Sequence, residues 1–167
     1  MKTQSFFALS ILLLCTISRS GHAQWIAAGG KPDAVVAADG SGTHKTVQEA
    51  VDAALAKSTK RFFIQIKPGT YKEKLRISKD KGPITFYGDD ATATVLTYDD
   101  YAGKNDASGK PLGTGGSWSV NIDANDFAAE NITLENTHPK TPGSEGDQAL
   151  AVSFNGDRAV FRDHLRP

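Results

Sequence analysis

Short apolar segments separated by turns make up most of the chain, and only one of them has the spacing of a helix. Ala34–Ala38 is apolar and precedes an Asp-Gly-Ser-Gly run, which predicts a strand followed by a turn. From Val47 to Lys57 the apolar side chains recur at helical spacing, which predicts an amphipathic helix. Thr46 and Glu49 fit a capping box at its start, and Lys57 is expected in its last turn, where a cation suits the helix dipole.

After this helix the pattern predicts strands only. Alternate strand centres often lie about twenty residues apart, a spacing that a β-solenoid produces and that a sandwich of hairpin-connected strands could also produce. A helix before the first strands favours the solenoid, because the open end of a coil stack needs a cap over its unpaired strand edges. The predicted strands are Phe62–Ile66, Lys74–Ile77, Ile84–Tyr87, Thr94–Tyr98, Ser119–Ile122, Phe127–Leu134, Ala149–Phe154 and Ala159–Arg162.

Two polar segments interrupt this series of strands. Asp99–Gly116 is rich in Gly, Asp, Lys and Ser, and His138–Gly146 contains two prolines. Both are expected to protrude from the strand stack as loops, and loops of this length in a compact domain are often functional. Gly69, in the run from Pro68 to Glu73, is expected to form a turn between two strands, with a Tyr packing over the edge.

The first residues have the pattern of a secretory signal peptide. Lys2 provides a basic start, Phe6–Ile17 is an apolar run, and small residues precede a cleavage site after Ala23. The apolar run is short for a membrane span, so a retained anchor is the less favoured alternative. The sequence therefore predicts a secreted protein, extracellular or periplasmic, in which residues 24–33 form a leader and residues 34–167 form the folded domain.

Composition narrows the class of protein. A chain of 167 residues with 39% hydrophobic residues can build one domain with a real core. The formal net charge is zero, so neither a nucleic acid nor an anionic membrane surface is predicted as a partner. Cys15, the single cysteine, lies within the predicted signal peptide, so no disulfide is expected in the mature chain.

Gln148 is the best candidate for chemistry on the residues alone. It precedes the apolar run Ala-Leu-Ala-Val, so a primary amide would be held at the start of a rigid strand. Such an amide can donate hydrogen bonds to a developing oxyanion, and one donor of this kind is typically worth about 10²–10³ in rate. A single Gln does not make up a set of catalytic groups. On the residues alone, a structural role for Gln148, in an amide ladder or at a strand end, is therefore favoured over a catalytic role.

Six segments in one order, with compatible spacing, carry a more specific signal than any one of them. They are Ala38–Gly42 with the helix that follows, Ile66–Glu73, Ile84–Gly88, Phe127–Leu134, Gln148–Val152 and Gly156–Phe161. In these segments the chain resembles the pectin methylesterases, or pectinesterases, from about Val35 to Arg162. The long loop before Trp118 resembles bacterial members more than plant members.

The resemblance implies an all-β fold, a right-handed single-stranded parallel β-helix of the pectin lyase-like type with an N-terminal helix cap. It implies hydrolysis of galacturonate methyl esters in pectin (methyl-esterified homogalacturonan) by a monomer, without a metal or other cofactor. In the family one Asp attacks the ester carbonyl, and a second Asp is general acid and then base. Two Gln residues stabilise the oxyanion, and an Arg orients the nucleophile. The two carboxyl groups need environments that separate their pKa values.

Only part of this set carries over to the chain. Gln148 matches the first oxyanion Gln, a catalytic and substrate-binding position, and Ser119 matches a Ser or Thr near the substrate groove. The second Gln and the acid/base Asp belong to a Gly-Tyr-Gln-Asp-Thr-Leu-Tyr motif that does not occur in the sequence, and the segment of the nucleophilic Asp is missing too. We therefore expect a β-helix truncated on its C-terminal side and inactive on its own.

Two other functions remain open at the level of sequence. The first is a non-catalytic module that binds pectin or polygalacturonate through the groove residues Tyr71, Trp118, Ser119 and Gln148. The second is a β-solenoid lyase, which usually needs a basic group or a Ca²⁺-supporting carboxylate cluster. The acidic doublets Asp89-Asp90 and Asp99-Asp100 are expected to be solvated loop residues, so they do not favour a lyase.

Overall fold

The computed structural model describes residues 31–140 and 146–162. The predicted signal peptide and most of the predicted leader lie outside the described residues. Within them, no helix is long and apolar enough to cross a membrane.

The described residues form eleven short strands and one α-helix. A single 3₁₀ turn, Thr114–Gly116, precedes β7. The helix α1 spans Val47–Ala53. The strands are β1 Ala34–Val36, β2 Phe62–Ile66, β3 Gly69–Lys72, β4 Leu75–Ile77, β5 Ile84–Tyr87, β6 Thr94–Tyr98, β7 Trp118–Ile122, β8 Phe127–Glu130, β9 Thr133–Asn136, β10 Leu150–Phe154 and β11 Ala159–Arg162.

All strand pairs are parallel, and the chain visits three sheets in turn. The first sheet has the order β1-β2-β5-β8-β11, the second β3-β6-β9 and the third β10-β7-β4. From β2 onward, each complete coil contributes one strand to each sheet before the next coil stacks upon it, whereas the first coil contributes β1 and α1. This topology is a parallel β-helix, so the prediction of a solenoid is confirmed and the sandwich is excluded.

The core lies between the three sheets and is built from ladders of side chains in register. Ile64 pairs with Phe86 in the first sheet, and Phe86 pairs with Ala129 of the next coil. Leu96 and Leu134 form a corresponding ladder in the second sheet. All five are buried, and burial of each large apolar side chain contributes about 1.5–3 kcal/mol.

The helix begins where the sequence predicts and ends sooner. The capping box is confirmed, because the Thr46 side chain accepts from the Glu49 amide and the Glu49 carboxylate accepts from the Thr46 amide. The C-terminal part of the prediction is wrong. Ala54 is already extended, and Lys57 has a φ of 56° and donates its amide to the Asp80 carbonyl. The helix ends early because the backbone at Lys57 is hydrogen-bonded to the turn after β4. Leu55, which the helical pattern placed on the core side, is therefore 75% exposed.

The strand predicted over Phe127–Leu134 is two strands in the structure. The chain turns at Asn131, whose φ of 55° lies in the left-handed region that Asn tolerates. The turn takes the chain from the first sheet to the second. A coil corner of so few residues leaves the apolar pattern unbroken, which explains why the sequence suggested one strand. The run after Pro68, expected as a corner with Gly69 in its turn, forms a further strand, β3 (Gly69–Lys72).

Candidate active site

Gln148 lies at the corner where the chain enters the third sheet. It is exposed and precedes β10, whose Leu150 pairs in register with Trp118 at the start of β7. The Gln148 backbone carbonyl accepts a hydrogen bond of 2.8 Å from the Ala102 amide. The sequence predicted that Gln148 begins this strand; in the structure β10 begins at Leu150, and Gln148 lies exposed just before it.

The long segment after β6 lies against the residues that precede β10. In addition to the Ala102 bond, the Gly103 amide donates to the Gly146 carbonyl at 2.8 Å. Gly113 donates to the Ala102 carbonyl at 2.9 Å, which closes the segment on itself. Asp99–Gly116, which was expected to protrude as a loop, is therefore folded against the residues before β10. We refer to this segment beside Gln148 as the wall.

A buried carboxylate anchors this wall. The Asp100 side chain is only 6% exposed and accepts from Lys74 Nζ at 2.5 Å and from Lys104 Nζ at 2.6 Å. Burial alone would raise the pKa of Asp100, but hydrogen bonds from Lys104 and Lys74 outweigh it and hold that pKa below its ordinary value. The bond to Asp100 in turn raises the pKa of the Lys104 ammonium.

This finding corrects one sequence expectation. Asp99 is solvated and pairs with exposed Lys72 at 2.7 Å, as expected for a surface doublet. Its neighbour Asp100 is instead one of the two buried carboxylates of the described residues, Glu130 being the other. The sequence did not reveal the burial of Asp100, because its partner Lys74 lies before β4 and Asp100 lies after β6. The strands β4, β5 and β6 separate the two residues along the chain. Asp89 and Asp90 are exposed, as predicted.

Polar and aromatic contacts tie the two loops together next to Gln148. The Asn136 amide group donates to the carbonyls of Asp100, Ser117 and Leu150 at 2.9, 3.0 and 3.2 Å. Asp147, the residue before Gln148, contacts His138 Nε2 at 3.3 Å. The His138 ring stacks on Tyr101, with centroids 4.0 Å apart and planes inclined by 13°.

Trp118 and Lys74 complete the surroundings of the corner. Trp118 is partly exposed, and Lys74 Nζ lies 4.7 Å from the centroid of its ring, within cation–π distance. Lys74 also donates to the Gly116 carbonyl at 2.8 Å. The corner thus combines an exposed primary amide, an aromatic ring and two lysines that share one carboxylate.

Two other residues named from the sequence do not reach the surface. Ser119 has a relative exposure of 0%, and its hydroxyl accepts from the Tyr98 amide at 3.0 Å. The structure therefore places the Ser119 side chain in the interior, where its hydroxyl holds the backbone at the end of β6, and not on an exposed groove surface. Tyr71 is buried in the core and donates its hydroxyl to the Lys67 carbonyl at 2.9 Å. Neither serves as a groove residue.

The described part of the chain contains no group of three or more His, Cys, Asp or Glu side chains that could hold a metal ion. The ion pairs at the corner join lysines to single carboxylates.

The family model for pectinesterase matches residues 33–165 of the chain. The chain belongs to the pectinesterase family. Among curated pectinesterases, a pectinesterase/pectinesterase inhibitor of Brassica campestris is 41% identical over 131 residues, which cover 78% of the chain and 22% of the relative. A pectinesterase of Arabidopsis thaliana is 41% identical over 129 residues, covering 76% of the chain and 34% of the relative.

Solved structures support the same fold. A pectin methylesterase in complex with a hexasaccharide has a TM-score of 0.72 and 31% identity, covering 81% of this chain and 43% of that one. Pectin methylesterase from carrot has a TM-score of 0.66 and 39% identity, covering 79% of this chain and 38% of that one.

The pectinesterase chain described here spans less than half the length of these relatives. The predicted closer likeness to bacterial members is not supported, because these curated relatives are plant proteins.

Proposed function

We propose that the protein functions in the hydrolysis of galacturonate methyl esters in pectin and that Gln148 is an oxyanion-stabilising donor of this reaction. One observation carries the proposal. Gln148 is exposed and lies just before β10, within the span that matches the pectinesterase family. The Ala102–Gln148 hydrogen bond holds the backbone from which this side chain projects, and a donor on a fixed backbone needs less reorganisation when charge develops.

The reaction assigns a specific task to this amide. A carboxylate attacks the ester carbonyl carbon, and the carbonyl oxygen gains negative charge while methanol leaves after protonation. The Gln148 side-chain N–H groups can donate to that oxygen. No Gly-Tyr-Gln-Asp-Thr-Leu-Tyr segment occurs in the sequence, and oxyanion stabilisation without nucleophile or base leaves little catalysis. We therefore expect the 167-residue chain to bind methyl-esterified pectin without turning it over.

Binding and methanol release by the purified chain test this proposal. We expect saturable binding of a methyl-esterified oligogalacturonide, with methanol release at the background rate. Gln148→Ala should weaken binding by about threefold to tenfold, the effect of one lost hydrogen bond. Gln65→Ala is the matched control, since Gln65 lies on β2 of the first sheet. Absence of binding, or equal losses in both variants, would contradict the contact between Gln148 and the ester on which the oxyanion role depends. Sustained methanol release would contradict the inactivity of this chain.

Secretion is a separate part of the proposal and is supported by the N-terminal sequence. A basic residue, an apolar run and a small-residue cleavage site precede Gln24. We propose that the mature protein begins at Gln24, acts outside the cytoplasm on pectin, and is a monomer. N-terminal sequencing of the exported protein should give Gln24 as the first residue. Size-exclusion chromatography with light scattering checks the monomer.

A further inference from the structure

Asp100 carries a buried charge, and the proposed reaction gives this carboxylate no role. Removing a carboxylate from water is costly unless it is paired and hydrogen-bonded. Asp100 meets both conditions, because each of its carboxylate oxygens accepts from a different lysine. Lys74 precedes β4 in an earlier coil, and Lys104 lies four residues along the same loop. The carboxylate therefore joins the loop to the coil stack.

The same short segment holds the backbone of Gln148. Only one residue separates Asp100 from Ala102, whose amide donates to the Gln148 carbonyl at 2.8 Å. Gly103 donates to the Gly146 carbonyl at the same distance. These two bonds hold the chain on both sides of Asp147, and their donors lie two and three residues after Asp100.

The Asn136 side chain forms a third link between the same two segments. Asn136 donates at once to the Asp100 carbonyl before the wall and to the Leu150 carbonyl after Gln148. The Asp100 carboxylate thus binds two lysines. Its backbone carbonyl binds the Asn136 side chain, which also donates to Leu150 in β10. A network satisfied at every member has few alternative arrangements.

We propose that Asp100, through its bridge to Lys74 and Lys104, is a positioning residue. It sets the location of the Gln148 backbone and thereby of the side-chain amide that this backbone carries. Asp100 does not touch the substrate. It acts by holding Ala102 and Gly103 against the backbone of Gln148 and Gly146, in the segment that precedes β10. The inference rests on the proposed oxyanion role of Gln148 for its functional meaning, while the positioning itself concerns only the geometry of the corner.

Amide hydrogen exchange on the full 167-residue chain tests the positioning. Asp100→Asn keeps the shape of the side chain and removes its charge, and Asp99→Asn is the matched control at the exposed neighbour. We expect exchange at the Ala102 and Gly103 amides to rise about tenfold or more in Asp100→Asn, with core amides such as that of Phe86 unchanged. Asp99→Asn should match the parent, and Asp100→Glu should restore part of the protection.

Binding of the methyl-esterified oligogalacturonide provides the second measurement. Asp100→Asn should weaken binding to about the extent seen for Gln148→Ala, and the double variant should lose little more, because both changes disable one unit. Lys104→Gln, a milder change that removes one of the two ion pairs, should give an intermediate loss and serves if Asp100→Asn does not fold.

Several outcomes would overturn the inference. Unchanged exchange at Ala102 and Gly103 would show that the bridge does not hold the wall. A uniform rise at all amides would make Asp100 a contributor to global stability only. Local loosening with parental binding would remove its link to Gln148. If the parent itself fails to bind, the proposed function fails, and the exchange measurement still decides whether Asp100 positions the corner.

Discussion

Gly156 begins the Gly-Asp-Arg run at the start of one of the six segments that resemble the pectinesterases. Packing between neighbouring coils explains why these residue types occur there. A Cβ atom at this position would lie 2.0 Å from the Ala124 carbonyl oxygen of the preceding coil. Two residues later, Arg158 has a φ of 58° and binds the Asp126 carboxylate through Nε and Nη2 at 2.7 and 2.9 Å. The Gly-Asp-Arg run thus combines a close backbone approach with a bidentate ion pair between coils.

The substitution Gly156→Ala should lower the free energy of unfolding by about 2–3 kcal/mol, because the backbone of one coil must move to relieve the contact. Urea denaturation followed by circular dichroism measures the change. Gly115→Ala is the matched control, since a Cβ atom there meets nothing within 4 Å. Equal stability of both variants would contradict the close approach.

At the scale of the element, α1 is a cap whose ends are completed by distant residues. The Glu73 carboxylate accepts from the amides of Val47 and Gln48 at 2.8 and 2.9 Å, which satisfies two donors of the first helical turn. The Gln48 side chain accepts from the Arg76 amide and donates to the Arg76 carbonyl at 2.9 and 3.1 Å. The helix therefore covers the edge of β4, as an end cap of a coil stack should.

Replacing Glu73 by Ala should lower the free energy of unfolding by about 2 kcal/mol, since two helix amides lose a charged acceptor. Glu135→Ala on β9 provides the comparison and should change stability by less than about 0.5 kcal/mol. Thermal and urea denaturation of both variants measure the difference. A Glu73 variant as stable as the parent would mean that water satisfies the helix start equally well.

Much of this element was accessible to sequence reasoning. Thr46 and Glu49 are three residues apart, so the capping box is a local signal and was predicted correctly. The early end at Ala53 was not predictable, because it depends on a backbone bond to Asp80, which belongs to the turn after β4. The role of Glu73 was hidden for the same reason.

For the whole molecule, the carboxylates link stability to pH. Hydrogen bonds from Asn155, Asn121 and Arg76 lower the pKa of Asp123, and the bond from Arg158 lowers the pKa of Asp126. The pKa of Asp100 is lowered as well. A carboxyl group with a lower pKa in the folded state stabilises the fold above its unfolded pKa, about 3.9 for Asp. That stabilisation is lost as the pH falls through the folded value.

The free energy of unfolding should therefore change little from about pH 7 to about pH 5 and fall steadily below about pH 4. Urea denaturation at a series of pH values measures the curve. Asp100→Asn should be less stable than the parent at neutral pH and should show a smaller loss on acidification, because one titrating group is gone. A stability that rises as the pH falls below 4 would contradict the sign of these pKa shifts.

The amino-acid sequence by itself determined the kinds of element, the start of α1, most strand positions and the family segments that include Gln148. These features follow from periodicity, capping and short motifs, which act over a few residues. Only the tertiary structure decided that Phe127–Leu134 turns at Asn131, that Ser119 is enclosed and that Asp100 is buried between two lysines. Those outcomes arise from the stacking of one coil upon another, and contacts between coils join residues that the chain separates by twenty or more positions.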